Sequence, residues 1–510
     1  MKISADYPGV FTKLDREWAR KVYSVQGAGT AAAPVVLVKN TRLTRSSSLG
    51  LISGVGNTNA GNPLRDMVFR TNGVLDKFQH GTPIPGTTAA ESGGDGAYFY
   101  NASLQNLFQS DLAYGRFDYD LTDSVHFYAQ ATGMLSHVKN NHESVETTAV
   151  TLSATNAFLS PQYQTAMTAA GRPTFLLSKM LTQINAKQPE TYTRGYMANF
   201  GLEGTIGEWK WDVSWVNSAN QQRTRNNYNP MNGRAAAAVD AVRAPNGDIV
   251  CNVTLTNPGL YPGCVPLNMF GPTSESAEAM DYVLDVTTYV AKTSLDNIGA
   301  SFSGSPFSTW AGPVQTAISG EWRKLNYSLV SDAQATAADC TGLRYNCNNT
   351  TFLYLATVLS DRTPVSQSVK EAAVEADVPL LKDVPFAESF NVNGAFRLTD
   401  YSNSGRVETW KVGVNWVVND QITFRGTRSR DIRAPNLNEL YAPRRVTPSG
   451  CTDRLINLTA QCPVITDANA NLQPEVAQTW TAGVVLRPAF PAFADWGIDL
   501  ATLRGLRHAT

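Results

Sequence analysis

Apolar and polar residues alternate from Trp410 to Val418, with Val417 alone out of step. Trp410, Val412, Val414, Trp416 and Val418 take one parity, and Lys411, Gly413 and Asn415 take the other. Successive side chains of a strand point to opposite faces, so this stretch reads as a ribbon that is apolar on one side only. Asn419 and Asp420 turn the chain, and Ile422 and Phe424 then alternate with Thr423 and Arg425, which predicts a β-hairpin with a tight turn. Pro435 has no backbone donor and ends the pairing, with Asp431 and Arg433 placed to pair at the junction between strand and loop. A soluble sandwich would also bury such a face, so the hairpin alone leaves two solvents open.

The same pattern recurs upstream. Phe117, Tyr119 and Leu121 oppose Arg116, Asp118 and Asp120; after a turn at Thr122-Asp123, Val125, Phe127, Ala129 and Ala131 oppose polar neighbours. Trp209, Trp211, Val213 and Trp215 oppose Lys210, Asp212 and Ser214, and Ala372, Val374 and Ala376 oppose Glu371, Glu375 and Asp377. A turn is expected over residues 379–385. About eleven strands of roughly ten to sixteen residues are predicted between residues 104 and 487, longer than the ~5–6 usual in soluble sheets. Short turns alternate with polar excursions, over about 140–191, 218–290, 330–367 and 431–474, and the short connection at 400–406 is the one exception. Every long excursion then falls on one side. Short turns on one rim and long loops on the other are the layout of outer-membrane barrels, whose strands need ~9–11 residues to span. A hydrocarbon layer admits only closed barrels among β structures.

Composition is consistent with this. Of 510 residues, 17% are charged and 38 are glycine, and the 42 basic and 43 acidic residues give a net charge of −1. No basic stripe invites a nucleic acid. No apolar run is long enough for a membrane helix. The mean hydropathy of −0.22 fits a soluble protein or a barrel, in which alternate residues alone face lipid. The six cysteines form three near pairs: Cys251 with Cys264, Cys340 with Cys347, and Cys451 with Cys462. Six cysteines allow fifteen connectivities. The spacing favours three local disulfides in an oxidising compartment over zinc, because no two lie within a few residues as C-x-x-C ligands do.

SRDIRAPNLNELYAP at 429–443 and NANLQPEVAQTWTAGV at 469–484 resemble the late-barrel signature of TonB-dependent outer-membrane receptors, in order and spacing. NTRLTRSSSLGLISGVG and VFRTNGVLDKFQHGTPI, with GGDG after them, resemble that family's early barrel, and CVPLNMFG at 264–271 resembles one of its outer loops. The resemblance implies an all-β fold: a large antiparallel transmembrane β-barrel, incomplete, with long extracellular loops and short periplasmic turns. It divides the chain into early barrel strands and loops (1–103), the transmembrane barrel (104–490) and a truncated or out-of-register tail (491–510). It also implies location in the Gram-negative outer membrane, with lipid and a small nutrient ligand as partners. The ligand would be an iron–siderophore complex, a cobalamin or a glycan, held at the outer loops. The plug, signal peptide and segment that contacts the TonB energy complex are expected to lie outside this stretch, so that complex is a partner of the full-length protein only.

The two faces carry the functional expectations. Trp209, Trp211, Trp215, Trp410 and Trp416 are expected to face lipid, near an interface where Trp is enriched; a soluble core would also take them. Lys210, Asp212, Glu371, Glu375, Asp377, Arg397, Lys411 and Arg425 are expected to line a watery lumen, or else to be a solvated outer face. No catalytic constellation, cofactor or metal site is expected. His137 and His142 sit in a predicted polar loop with no third ligand beside them, and there is neither a phosphate loop nor a nucleophile elbow. The rival reading is a secreted, disulfide-stapled β-protein that binds or cleaves polysaccharide.

Overall fold

The computed structural model describes residues 2–7, 9–27, 29–31, 34–52, 61–98, 102–142, 144–182, 188–334, 336–348, 350–355, 359–442, 445–453, 458–487 and 502–509. Its frame is one 13-stranded antiparallel sheet whose strands follow the chain order without a crossover. Numbered along the chain, they are β1 (Lys2–Tyr7), β2 (Leu107–Thr122), β3 (Val125–Lys139), β4 (Gln188–Ile206), β5 (Trp209–Pro230), β6 (Leu284–Gly304), β7 (Gln315–Ser331), β8 (Arg362–Val384), β9 (Ala387–Tyr401), β10 (Gly405–Asn419), β11 (Ile422–Arg433), β12 (Glu475–Leu486) and β13 (Thr502–Ala509). Eleven of them, β2 to β12, lie between residues 104 and 487, as the alternation predicts. The sheet is open, with β1 and β13 as its edges. Among the described residues no helix is long and apolar enough to cross a membrane, which says nothing about strands.

Pairing register fixes the two faces. Trp211, Phe302, Ile318, Val374, Phe396 and Trp410 are successive cross-strand partners on β5 to β10. One residue over, Lys210, Ser303, Ala317, Glu375, Ala395 and Lys411 form the parallel row on the opposite face. All five named tryptophans share the first face, and all eight charged residues expected in a lumen share the second. The apolar side chains form a belt with no protein over it: Phe117, Val213, Trp215, Val412 and Trp480 are all exposed, Val412 at 51%. Buried strand side chains such as Leu329, Val369, Gln367 and Thr399 belong to the other face.

Two expectations about the strands are corrected. The turn expected over 379–385 lies later. The strand runs on to Val384, and Pro379, which cannot donate to the ladder, sits where the register shifts between Pro379 and Leu381. The reversal falls at the next residues, where Phe386 takes a φ of 66°. His137 lies in β3, not in a loop; its ring stacks on Tyr192 at 4.2 Å and its Nε2 meets Glu190 at 2.8 Å.

The connections at one end of the sheet are tight, at 123–124, 207–208, 385–386 and 420–421, and a small hairpin of Ser308–Thr309 with Gly312–Pro313 joins β6 to β7. At the other end lie the long ones, 8–106, 140–187, 231–283, 332–361 and 434–474, with 402–404 as the short exception. Among the described residues of 1–103, a stretch expected to hold early barrel strands, only β1 joins the large sheet; the others belong to the long-loop end. Of the tail 491–510, the backbone of 502–509 pairs with β12, and 491–501 and 510 lie outside the described residues.

Candidate functional site: a loop cap over the polar face

The hydrophobic core of this molecule is in its loops. Ile52, Leu64, Phe69 and Leu75 from the first long connection pack with Val145, Leu152, Phe175 and Leu177 from the second and with Val239, Met269, Phe270 and Met280 from the third. A five-stranded sheet runs through this cap, in the order Val145–Ser153, Thr174–Leu181, Leu51–Ile52, Met67–Phe69 and Leu75–Lys77. Phe69 stacks on Phe270 at 4.5 Å. Such burial is the main favourable term available to loops that lack long ladders of their own.

Polar pins tie the connections together. Arg45 and Ser46 both donate to Glu146, at 2.6 Å for the closest contact of each. Asn346 bonds the backbone of Thr151 in both directions at 2.8 Å, and Arg344 Nε donates to Asp240 at 2.8 Å. That carboxylate raises the Arg344 guanidinium above its ordinary value. Tyr354 donates to Asp285 at 2.9 Å, and burial, then that carboxylate, push its phenol up to about 12. Lys179 is the deepest pin. Its ammonium donates to the Gly271 carbonyl at 2.6 Å and the Ser274 hydroxyl at 3.0 Å, and meets Glu275 at 2.8 Å with both side chains 1% exposed. Burial pushes the Lys179 amine down, against the opposing pull of Glu275.

The cysteines belong to this end. Cys251 is bonded to Cys264 and Cys340 to Cys347; the first bridge packs with Val253, Leu260 and, from the next connection, Leu343. The Cys451 and Cys462 side chains lie outside the described residues. Among the described residues no group of three or more His, Cys, Asp or Glu is arranged to hold a metal ion.

A cavity of about 370 Å³ opens within the cap. Val150, Leu181, Val239, Met269, Met280 and Leu284 wall it, and Asn232, Asn346, Thr147 and Thr351 supply polar edges. Apolar walls with a few fixed polar groups are the usual make-up of a small-molecule pocket. Ala149 lines it with a φ of 53°, at a bulge where the register shifts between Thr147 and Val150. Sequence reasoning missed this pocket. Its walls come from three connections, and no local pattern marks them.

Below the cap the polar face carries mixed charge. Arg323 meets Glu321 at 2.6 Å and Arg397 meets Glu371 at 3.3 Å, while Asp212 accepts from Ser301. Lys210, Glu375, Asp377, Lys411 and Arg425 share that face by register. At the rim, Arg433 does not pair with Asp431. It bonds Glu475 at 2.6 Å and Glu439 at 3.0 Å, whereas Asp431 accepts from Ser429 and Thr479. Glu439 also closes a capping box on Asn436 at the start of the helix Leu437–Tyr441. The APNLNELY motif is therefore a brace that carries the chain from β11 into the last long connection.

Residues 252–502 match the family described as TonB dependent receptor-like, beta-barrel. No curated protein matches the chain. Among solved structures, the siderophore receptor PirA from Acinetobacter baumannii is similar at 15% identity over 76% of this chain and 41% of its own, with a TM-score of 0.41. FpvA of P. aeruginosa, bound to heterologous pyoverdines, is similar at 11% identity over 81% of this chain and 43% of its own, with a TM-score of 0.40. A Pseudomonas aeruginosa ferric enterobactin receptor (PfeA) mutant in complex with enterobactin is similar at 12% identity over 84% and 44%, with a TM-score of 0.38. The chain spans less than half the length of these receptors. By this match, residues 252–502 belong to the TonB-dependent receptor family of the Gram-negative outer membrane.

Proposed function

We propose that this chain forms the wall and outer cap of a receptor for energy-coupled uptake of a scarce nutrient. One observation carries the reading. The long connections 8–106, 140–187, 231–283, 332–361 and 434–474 are gathered at one end of a sheet that is apolar on one face and charged on the other, and four of them pack into a cap with its own core. The uncovered belt meets hydrocarbon, as the outward face of a membrane barrel does. The charged face encloses water beneath the cap. The cap captures the ligand, and the wall gives it a polar path.

The ligand belongs to the iron–siderophore, cobalamin or glycan class. The cap cavity suits an uncharged, partly apolar portion of such a molecule, because its walls are aliphatic, its edges are amides and hydroxyls, and its one carboxylate, Glu146, is already held by Arg45 and Ser46. An energy complex of the inner membrane drives the release of the bound ligand through the receptor. Binding and gating suffice for this role, without covalent chemistry.

The test is uptake of radiolabelled members of the three classes by cells with the full-length receptor, with and without the energy complex. Uptake of one class should require both, while binding to isolated outer membranes should require the receptor alone. Receptor-dependent uptake that is unchanged without the energy complex would mean a passive pore and would overturn the reading.

A further inference from the structure

On the apolar face the belt does not run the full length of the strands. On β4 to β7 its last unbroken row of large apolar side chains is Phe200, Trp215, Ile298 and Trp322, which are successive partners. Six residues along β4 toward the cap, on the same face, stands Arg194, whose partners in that row are Gln221 and Lys292. Arg223 lies one row further, opposite Tyr192. Between cations and belt run Tyr196, Ala198, Asn217 and Ala219. At ~3.3 Å per residue the cations stand ~20 Å beyond that apolar row along a strand that a barrel tilts by ~40°. That height places them at the outer edge of a headgroup layer.

Arg194 and Arg223 line a groove of about 850 Å³ with a floor of small and polar residues, and Lys292 lines the groove that adjoins it, which shares Arg194 and Gln221 with it. Its acids are already engaged: Glu190 by His137 at 2.8 Å and Tyr192 at 2.9 Å, and Asp111 by Ser4 at 2.6 Å. Arg194 spends one amino group on a neutral partner, Gln221, at 2.8 Å. Arg223 and Lys292 have no ion-pair partner among the described residues, and all three cations are exposed. The groove continues downward past Ala113, Gly133 and Ala219 toward the belt.

We infer that this groove seats the phosphate of a membrane lipid whose acyl chains lie along the belt. The inference rests on the belt meeting hydrocarbon. Three cations left without carboxylates, in an open groove continuous with an apolar surface, complement a headgroup that is anionic at one end and apolar at the other. Guanidinium groups offer a phosphate paired, planar donors, and the ammonium adds a point charge. A soluble nutrient anion would have no use for the apolar continuation.

The experiment uses the full-length receptor purified from outer membranes in mild detergent. Retained lipid phosphorus is measured, and affinity is titrated with micelles of a phosphate-bearing lipid, with a neutral lipid of equal chain length, and with inorganic phosphate alone. Each cation near a membrane surface is worth about five-fold in affinity, so Arg194→Gln/Arg223→Gln/Lys292→Gln together should weaken the phosphate-bearing lipid roughly a hundred-fold. Lys210→Gln/Arg397→Gln/Lys411→Gln, on the opposite face, should leave it unchanged. Binding by wild type should also fall with salt, which needs no variant. Equal retention in the two triple variants, equal binding of the neutral lipid, or equal binding of inorganic phosphate would each overturn the inference. A receptor that takes up neither lipid would instead count against the belt itself.

Discussion

The buried pair Lys179–Glu275 offers a quantitative test of the cap. Replacing Lys179 by Met removes an ammonium that reaches the third connection through Gly271, Ser274 and Glu275, and leaves a carboxylate in a site 1% exposed. Breaking one partner of a buried pair costs ~3–5 kcal/mol, whereas replacing both by apolar residues of similar size is often close to neutral. Lys179→Met should therefore loosen the cap by about 4 kcal/mol, and Lys179→Met/Glu275→Leu should recover most of that loss. The assay is amide hydrogen exchange of Thr174–Leu181 in the intact receptor, where 4 kcal/mol is a rate increase of about three decades. The sign of the pH dependence follows from burial. The Lys179 amine is lower in the closed cap than in the open chain, so below its ordinary 10.5 the open form binds more protons. Closure should therefore strengthen as pH rises from the depressed value toward 10.5, by at most ~1.4 kcal/mol per unit. Limited proteolysis of the cap reads this, since intrinsic exchange rates vary with pH themselves. A single variant within about 1 kcal/mol of wild type, or a double variant as loose as the single, would refute the reasoning.

Other outcomes follow from single positions. Gly50 has a φ of +85°, and a Cβ there would lie 2.9 Å from the Met269 carbonyl, so Gly50→Ala should destabilise the cap by more than ~1 kcal/mol by the same exchange assay. Removing the Cys251–Cys264 bridge, which closes a loop of 13 residues, should lower protection in the third connection by ~3 kcal/mol. Val412→Arg, on the belt, should lower stability in lipid by ~2–4 kcal/mol if Val412 lies near the bilayer centre, and Lys411→Gln beside it by much less; urea titration of the refolded receptor in vesicles measures both. Met280→Trp should fill the cap cavity and abolish ligand binding while leaving the circular dichroism spectrum unchanged.

The strands were legible because a one-residue step moves a side chain to the other face, and a chain with two different solvents must keep that parity for its full length. The eight charged residues assigned to one face and the five tryptophans assigned to the other follow from parity within each ribbon, and pairing register carries it across the sheet. The indoles are not sealed beneath a second layer of protein, which the rival secreted fold would require. The cap was illegible for the converse reason. Its strands are often two or three residues long, and its pins join Arg45 to Glu146 and Lys179 to Glu275 across about a hundred residues of chain. Two departures from the sequence pattern have local causes. Pro379 has the chemistry of a turn residue, yet a bulge accommodates it within β8. Asp431 and Arg433 were paired by proximity in sequence, yet two residues apart on a strand they share a face, and each finds a better partner, Thr479 and Glu475, on β12. The capping box of Asn436 and Glu439 is written in the sequence as N-x-x-E.

The central claim is that the belt faces hydrocarbon and the charged face encloses water. Spin labels placed singly along Lys210–Trp215 and along Trp410–Asn415 of the full-length receptor in lipid vesicles test it most directly, through the relative access of oxygen and of a water-soluble nickel chelate. The account predicts alternation with a period of two: oxygen is favoured at Trp211, Val213, Val412 and Val414, and the chelate at Lys210, Asp212, Lys411 and Gly413. Access that fails to alternate, or that alternates with the opposite phase, would contradict it.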